Sequence, residues 1–200
     1  MARKPDPGAR DRILDAACGL FNEHGVRAVG MQQIIDACGC GKNLLYREFS
    51  GKDELIVAWL ERCATDWPEL LTEAADRHPD DPAEQLVAVV AVVAERASEA
   101  GFRGCAMRNA YAEFPEETHP AHRFIVAHYA ARREQLRALA RRAGARDPEG
   151  LADRLSLIMD GVNTDAAILG ADGAVRAAAG FARDVVRAAT APLSPPRAEP

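Results

Sequence analysis

The segment from Met31 to Leu55 constrains the fold more than any other part of the chain. Apolar residues recur at helical spacing before the glycines Gly39 and Gly41, and the same spacing resumes after them. Two short helices joined by a turn of a few residues are typical of a helix-turn-helix, whose second helix lies in the major groove of DNA. The segment therefore predicts a DNA-binding unit.

The rest of the chain predicts an all-α protein of about nine helices, because strand-like alternation is absent and Ala and Leu dominate the composition. We expect a flexible arm over residues 1–9 and a three-helix DNA-binding domain over 10–54. A larger helical domain should follow over 55–191, and a disordered tail over 192–200. The fourth helix of the chain should begin at a capping box of Ser50 and Asp53 and run to about Leu71, with Pro68 bending or ending it.

Charge is distributed unevenly along the chain. The net charge is -5, yet residues 1–52 carry eight Lys and Arg against six Asp and Glu. An acidic total does not exclude nucleic-acid binding, because the field at the contact face decides it. The sequence has no apolar run near the length of a membrane span and no apolar leader segment, which predicts a cytoplasmic protein without a membrane partner.

The five cysteines are odd in number and scattered, so we expect small buried residues rather than disulfides. One alternative stays open: a thiol-redox-sensing regulator in which Cys38 or Cys40 is oxidised beside the reading helix.

A second alternative is a helical metal-binding enzyme. Glu116 and His119 have the spacing of di-iron bundles, and His122 and His128 follow them. That chemistry needs two such motifs on regular helices, whereas one occurs here, between two prolines. We therefore expect no enzyme activity, no catalytic residue, no metal and no cofactor.

The outward side chains of the third helix suit DNA. Lys42 can reach guanine or phosphate, and Asn43 can pair with adenine. Tyr46 can donate its phenol proton to a phosphate, and Arg47 lies beside it. Lys52 should sit in the first turn of the next helix, where free backbone N–H groups already favour an anion.

Three motifs, ILDAACGLFNEHG, IIDACGCGKNLLYREF and GKDEL, occur in this order over residues 10–60. Together they resemble the N-terminal domain of TetR/AcrR-type transcription regulators. The resemblance implies a homodimer that binds a palindromic operator in double-stranded DNA, usually as a repressor released by a small ligand. It gives Tyr46 and Lys52 phosphate-anchoring roles and assigns base reading to the helix around Lys42–Arg47. The predicted DNA contacts are Gln32, Gln33, Gly41, Lys42, Asn43, Leu44, Tyr46, Arg47 and Lys52.

The chain departs from the family pattern at several motif positions. The family's usual Ser, Gly and Thr are replaced by Gly41, Asn43 and Leu44, so a phosphate-binding hydroxyl is missing at position 44. The usual Thr or Ser that caps the second helix is replaced by Val29 and Gly30, and glycine caps a helix only weakly. These departures point to an operator particular to this protein.

The resemblance also implies an effector pocket, which needs apolar walls and a few polar groups. We expect a small apolar or amphipathic effector. Ordinary core packing is the alternative for each candidate residue, and for Asn163 the alternative is a hydrogen bond across a dimer seam. The candidates are Cys63, Trp67, Met107, Tyr111, Phe124, His128, Met159 and Asn163.

By the same resemblance, the last two helices pair with their copies as a four-helix bundle. Their apolar stripes supply the expected dimer interface: Leu155, Ile158, Val162, Ala174, Ala178, Phe181 and Val185.

Overall fold

The computed structural model describes residues 7–191, and within this range the regular structure is entirely helical. The predicted all-α fold is therefore confirmed. The predicted tail 192–200, and all but the last three residues of the predicted arm 1–9, lie outside the described residues. None of the helices in the described range combines the length and apolar composition needed to cross a bilayer.

Ten helices follow one another along the described chain. They are α1 (Ala9–His24), α2 (Met31–Cys38), α3 (Lys42–Glu48), α4 (Lys52–Ala64), α5 (Asp66–Arg77), α6 (Pro82–Ala97), α7 (Ala106–Glu113), α8 (Pro120–Arg142), α9 (Pro148–Leu169) and α10 (Ala174–Thr190).

The count is ten rather than about nine because the predicted helix from Ser50 to Leu71 is two helices. The chain breaks at Thr65, whose N–H and hydroxyl both donate to the carbonyl of Arg62, at 3.2 and 2.8 Å. Pro68 does not end a helix, because α5 runs through it from Asp66 to Arg77. It lies in the first turn of α5, where a missing N–H leaves no hydrogen bond unmade.

The predicted capping box at the start of α4 is also wrong. The N-cap position is Gly51, and Ser50 lies one residue before it. The N–H and hydroxyl of Ser50 both donate to the carboxylate of Glu54, at 2.8 and 2.7 Å. Glu54, rather than Asp53, therefore closes the first turn, because its longer side chain reaches back to Ser50.

The chain divides into two compact units. Unit 1 contains the residues up to Asp66 together with Cys105–Tyr129, and unit 2 contains Trp67–Gly104 together with the residues from Ala130 onward. Unit 1 thus combines α1–α4 with α7 and the beginning of α8. The predicted boundary between residues 54 and 55 stays a prediction.

The core of unit 1 is built from large side chains. Phe21 packs edge-on against Trp59 with ring centroids 5.3 Å apart, and Leu45 and Phe49 turn the inner face of α3 into the same core. Burying each such side chain contributes about 1.5–3 kcal/mol. This core fixes the orientation of α3 relative to α1 and α4.

Unit 2 is organised around α6, which packs against α9 and α10. Ten of the 16 residues of α6 are buried, most of them Val and Ala. A helix that is apolar on nearly all sides belongs in an interior. Asp81 caps α6 by accepting the N–H groups of Ala83 and Glu84, each at 3.0 Å.

Candidate nucleic-acid interface

The turn between α2 and α3 is fixed by its backbone. Gly39 has φ of 62°, a left-handed conformation that favours glycine, and it ends α2. The N–H of Cys40 donates to the carbonyl of Ile35 at 3.3 Å. Gly41 is extended, with φ of -77°, and is the N-cap of α3. Only the first of these two glycines is therefore required by backbone geometry.

The outer face of α3 carries polar side chains. Lys42, Asn43, Tyr46 and Arg47 are exposed, whereas Leu45 and Phe49 are fully buried. Tyr46 keeps 44% of its surface exposed. Leu44 is half-buried, so it does not stand on the outer face with the other candidates.

Gln32 and Gln33 are exposed on α2 and already have partners within the chain. The side-chain oxygen of Gln33 accepts the N–H of Gly30 at 2.7 Å, which is the part of a capping box that a glycine N-cap leaves available. The amide nitrogen of Gln32 donates to the carboxylate of Asp36 at 2.8 Å. Gln33 therefore offsets the missing hydroxyl at the start of α2.

Lys52 lies in the first turn of α4 and is half-buried. Its Nζ donates to the carbonyl of Arg27 at 3.1 Å. Burial lowers the pKa of Lys52 below its ordinary value, while the carboxylates of Glu113 and Asp53 act in the opposite direction. The ammonium is thus placed by the loop before α2.

Arg10 is a residue that sequence reasoning missed. It lies in the first turn of α1 and donates from Nη1 to the carbonyl of Glu48, the last residue of α3, at 2.8 Å. Its guanidinium also lies over the ring of Phe49, 4.2 Å from the centroid. A cation at a helix C-terminus satisfies a carbonyl that the helix leaves without a partner.

A second missed group is Glu113, the last residue of α7. Its carboxylate accepts the N–H groups of Val26 and Arg27, at 2.9 and 2.6 Å. The guanidinium of Arg27 donates to Glu116 at 3.0 and 3.1 Å. These partners are more than 80 residues apart in sequence, so no local pattern announces them.

The cysteines correct one expectation. Cys38 and Cys40 are joined as a disulfide across Gly39, where we expected small buried thiols. Among the described residues, Cys18, Cys63 and Cys105 are free and half-buried. Burial raises the pKa of the Cys63 thiol to about 12.

The histidines of the metal-enzyme alternative have other partners. His119 lies 3.6 Å from the carboxylate of Asp53, and His122 Nδ1 is 2.9 Å from the carbonyl of Phe114. His128 stacks on Phe124. Within residues 7–191, no group of three or more His, Cys, Asp or Glu side chains is arranged to hold a metal ion.

The eight candidate pocket residues are divided between the two units. Unit 1 contains Cys63, Met107, Tyr111, Phe124 and His128, and unit 2 contains Trp67, Met159 and Asn163.

Several of these candidates have structural roles. Met107 and Met159 are buried core residues. The indole N–H of Trp67 donates to Gln135 at 2.6 Å, and the amide of Asn163 donates to the carbonyl of Met159 within α9 at 2.9 Å. Tyr111 is 45% exposed. The effector site therefore stays a prediction.

The expected dimer stripe needs revision at three positions. Leu155, Val162 and Ala178 are buried inside unit 2, so a second copy cannot reach them. Ile158 and Val185 are half-buried. An apolar stripe on a helix can face either its own core or a partner, and here the stripe that contains Leu155 faces the core.

Four large apolar residues that do face outward lie on α9 and α10. We call them the exposed α9–α10 face: Leu157, Ile168, Leu169 and Phe181, which are 59–75% exposed, together with Ala174.

Comparison with known proteins assigns the N-terminal helices to a sequence family. Residues 13–59 match the family described as bacterial regulatory proteins, tetR family. The transcriptional activator FasR of Mycolicibacterium smegmatis is 42% identical over 60 residues, which are 30% of this chain and 27% of FasR. The chain spans about a quarter of the length of the first curated relatives that it matches.

Solved structures match over nearly the whole chain. SCO4454, a TetR-family transcriptional regulator from Streptomyces coelicolor, superposes with a TM-score of 0.86 at 29% identity, covering 91% of this chain and 96% of that one. The TetR-type regulator sav143 from Streptomyces avermitilis has a TM-score of 0.79 at 32% identity, covering 90% and 97%.

Proposed function

The chain belongs to the TetR family of bacterial regulatory proteins, and from that premise we propose that it is a repressor that binds a palindromic operator as a homodimer and is released by a small effector. DNA-binding transcription regulation is the function of the family. That the protein represses rather than activates transcription, that an effector releases it, and which residues contact DNA are our proposal.

The observation that carries the proposal is the outer face of α3. Four polar side chains there, Lys42, Asn43, Tyr46 and Arg47, are exposed on a helix whose inner face is fully buried. A recognition helix needs this division, because the buried face fixes the angle at which the polar face enters the groove. We propose that Tyr46 and Lys52 contact phosphates and that Lys42 and Asn43 contact bases.

The exposed α9–α10 face supports the homodimer. Four large apolar side chains exposed on two adjacent helices are the kind of surface that marks a protein–protein contact. A two-fold dimer places two reading helices about 34–36 Å apart, one turn of DNA, so the operator should be a palindrome.

The small effector is part of the proposal because regulators of this family bind small molecules. A ligand that releases the protein must bind the DNA-free conformation more tightly than the DNA-bound one.

The decisive experiment measures binding of the purified chain to DNA flanking its own gene, by fluorescence anisotropy at several salt concentrations. Wild type should bind one fragment tightly in excess competitor DNA. Lys52→Met should lower the slope of log K against log salt by about 1, because one phosphate contact is lost. Tyr46→Phe should weaken binding about tenfold, because a phenol donor to a charged phosphate is lost.

Arg142→Ala is the matched control, since it removes one exposed positive charge from the end of α8. The site assignment is wrong if Lys52→Met and Arg142→Ala behave alike. Transcription in vitro from the bound promoter then tests the sign of regulation. Repression supports the proposal, and stimulation would make the protein an activator, as FasR is named.

A second candidate function is redox control, favoured by the disulfide between Cys38 and Cys40 in the turn before α3. Two thiols would give up two electrons and two protons to a peroxide, which is reduced to two waters. Operator binding should then change after peroxide treatment and recover with dithiothreitol in wild type, and stay constant in Cys38→Ser. Equal binding by oxidised and reduced wild type would end this candidate.

A further inference from the structure

The loop between α1 and α2, residues 25–30, is bound by a carboxylate from α7. Val26 and Arg27 present consecutive backbone N–H groups, and each donates to a different oxygen of Glu113, at 2.9 and 2.6 Å. Hydrogen bonds to an ionised acceptor are shorter and about twice as strong as neutral ones. Glu113 therefore fixes the backbone of this loop.

The glycine that opens the loop suits this contact. Gly25 has φ of 82°, a conformation that L side chains rarely adopt. A Cβ on this residue would also lie 3.3 Å from Oε1 of Glu113. Glycine thus permits both the turn and the close approach of the carboxylate.

The same loop binds Lys52 from its other side. The carbonyl of Arg27 accepts from Lys52 Nζ at 3.1 Å, so the backbone of residue 27 joins Glu113 to the ammonium. The side chain of Arg27 adds a second attachment. Its guanidinium donates to both oxygens of Glu116 and lies 5.2 Å from the ring centroid of Phe114. The segment that ends α7 therefore fixes the loop on which Lys52 depends.

We propose that Glu113 is a positioning residue, which acts through Arg27 to place the ammonium of Lys52 for contact with an operator phosphate. The phosphate contact rests on the proposed function, whereas the placement of Lys52 does not.

The first test needs no DNA. The sequence has three lysines, Lys4, Lys42 and Lys52, so lysine-labelled full-length protein gives three side-chain signals in NMR. Glu113→Gln should shift the amide signals of Val26 and Arg27. It should also lower the pKa of Lys52 further, because a neighbouring negative charge that favours the ammonium is lost.

The matched control is Glu117→Gln, which removes an exposed carboxylate from the loop after α7. It should leave the amide signals of Val26 and Arg27 and the pKa of Lys52 unchanged. An unchanged pKa of Lys52 in Glu113→Gln would overturn the proposal, and so would an equal change in both variants.

The second test is a double-mutant cycle on operator binding. Glu113→Gln should weaken binding about tenfold, the size expected when one charged contact is lost. In the background of Lys52→Met it should add little, because both changes act on the same ammonium. Losses that multiply in the double variant would show that Glu113 acts independently of Lys52.

The two tests separate the proposals. A wild-type chain that binds no DNA fragment would end the proposed function, and the NMR measurement would still decide whether Glu113 places Lys52. Operator binding that depends on Lys52 but is unaffected by Glu113→Gln would end the positioning role and leave the proposed function intact.

Discussion

Unit 1 and unit 2 use apolar side chains in opposite ways. Of the twelve largest fully buried side chains within residues 7–191, nine belong to unit 1, including Trp59 and Phe49, and three to unit 2. Conversely, α9 and α10 of unit 2 expose four large apolar residues. Unit 1 is thus a small domain whose few large side chains specify one packing, and its exposed large apolar residues, Tyr46, Tyr111 and Val126, are 44–48% exposed against 59–75% for those of unit 2. Unit 2 fills its interior with Val and Ala and keeps apolar surface outside.

Polar side chains differ between the units as well. In unit 1 they bind loops and helix ends, as Glu113 and Arg10 do. In unit 2, Asp81 caps α6 in the same way, but pairs such as Arg77 with Glu95 and Arg133 with Asp153 join exposed positions on helix surfaces. The polar contacts of unit 1 fix individual groups, such as Lys52, for which we propose contact with DNA, whereas unit 2 exposes apolar side chains, for which we propose contact with a second copy.

The largest expected effect is on the core of unit 1. Phe49→Ala should lower the free energy of unfolding by about 3–5 kcal/mol, and Val90→Ala in α6 by about 2 kcal/mol, because a smaller cavity is left. Both residues are fully buried in the native chain. Urea unfolding followed by circular dichroism measures both. Equal losses of unfolding free energy in the two variants would contradict the view that a few large side chains supply most of the stability of unit 1.

This contrast also explains what the sequence could predict. The turn between α2 and α3 agrees with the prediction because Gly39 interrupts a clear helical pattern, and Gly39 has a positive φ. The break at Thr65 was missed because apolar spacing continues through it. Ten helices instead of about nine is the result.

The candidate site was predictable only where its residues are neighbours in sequence. The outward set on α3 follows from helical spacing, whereas Glu113 contacts a loop 86 residues before it. Leu155, Val162 and Ala178 were assigned to a dimer interface because a stripe that faces its own core has the same pattern as one that faces a partner. Burial in the folded chain is what separates the two cases.

The next effect concerns the exposed α9–α10 face. Phe181→Glu should weaken the dimer by about 2 kcal/mol for each copy, because a charge would be placed in an apolar contact. Sedimentation velocity should show monomer at concentrations where wild type is dimeric. Operator affinity should fall with it, while the unfolding of the monomer stays unchanged.

Ala138→Glu serves as the charge control for this variant, since it adds the same single negative charge at an exposed position of α8. A Phe181→Glu chain that remains dimeric would remove the apolar face from the interface, and the difference between the two units would then lose its functional meaning.

The smallest effect is expected from the surface pairs of unit 2. The hydrogen bonds from Arg77 lower the pKa of the Glu95 carboxyl, so the folded chain binds its proton less readily than the unfolded chain does. The stabilisation is therefore complete at pH values above the ordinary pKa of a glutamate carboxyl. It is lost as the pH falls through the lowered pKa that Glu95 has in the folded chain. Since Arg77 and Glu95 are well exposed, it should amount to less than about 1 kcal/mol.

Glu95→Gln tests this against wild type in urea unfolding at pH 7 and pH 3, with Glu99→Gln as an exposed control on the following turn. The difference between Glu95→Gln and wild type should be small at pH 7 and smaller at pH 3, because the wild-type carboxylate becomes protonated. A loss at pH 7 as large as that of Phe49→Ala would mean that surface pairs stabilise unit 2 as strongly as large buried side chains stabilise unit 1. The two units would then be built alike, and the apolar face of unit 2 would no longer follow from how its interior is packed.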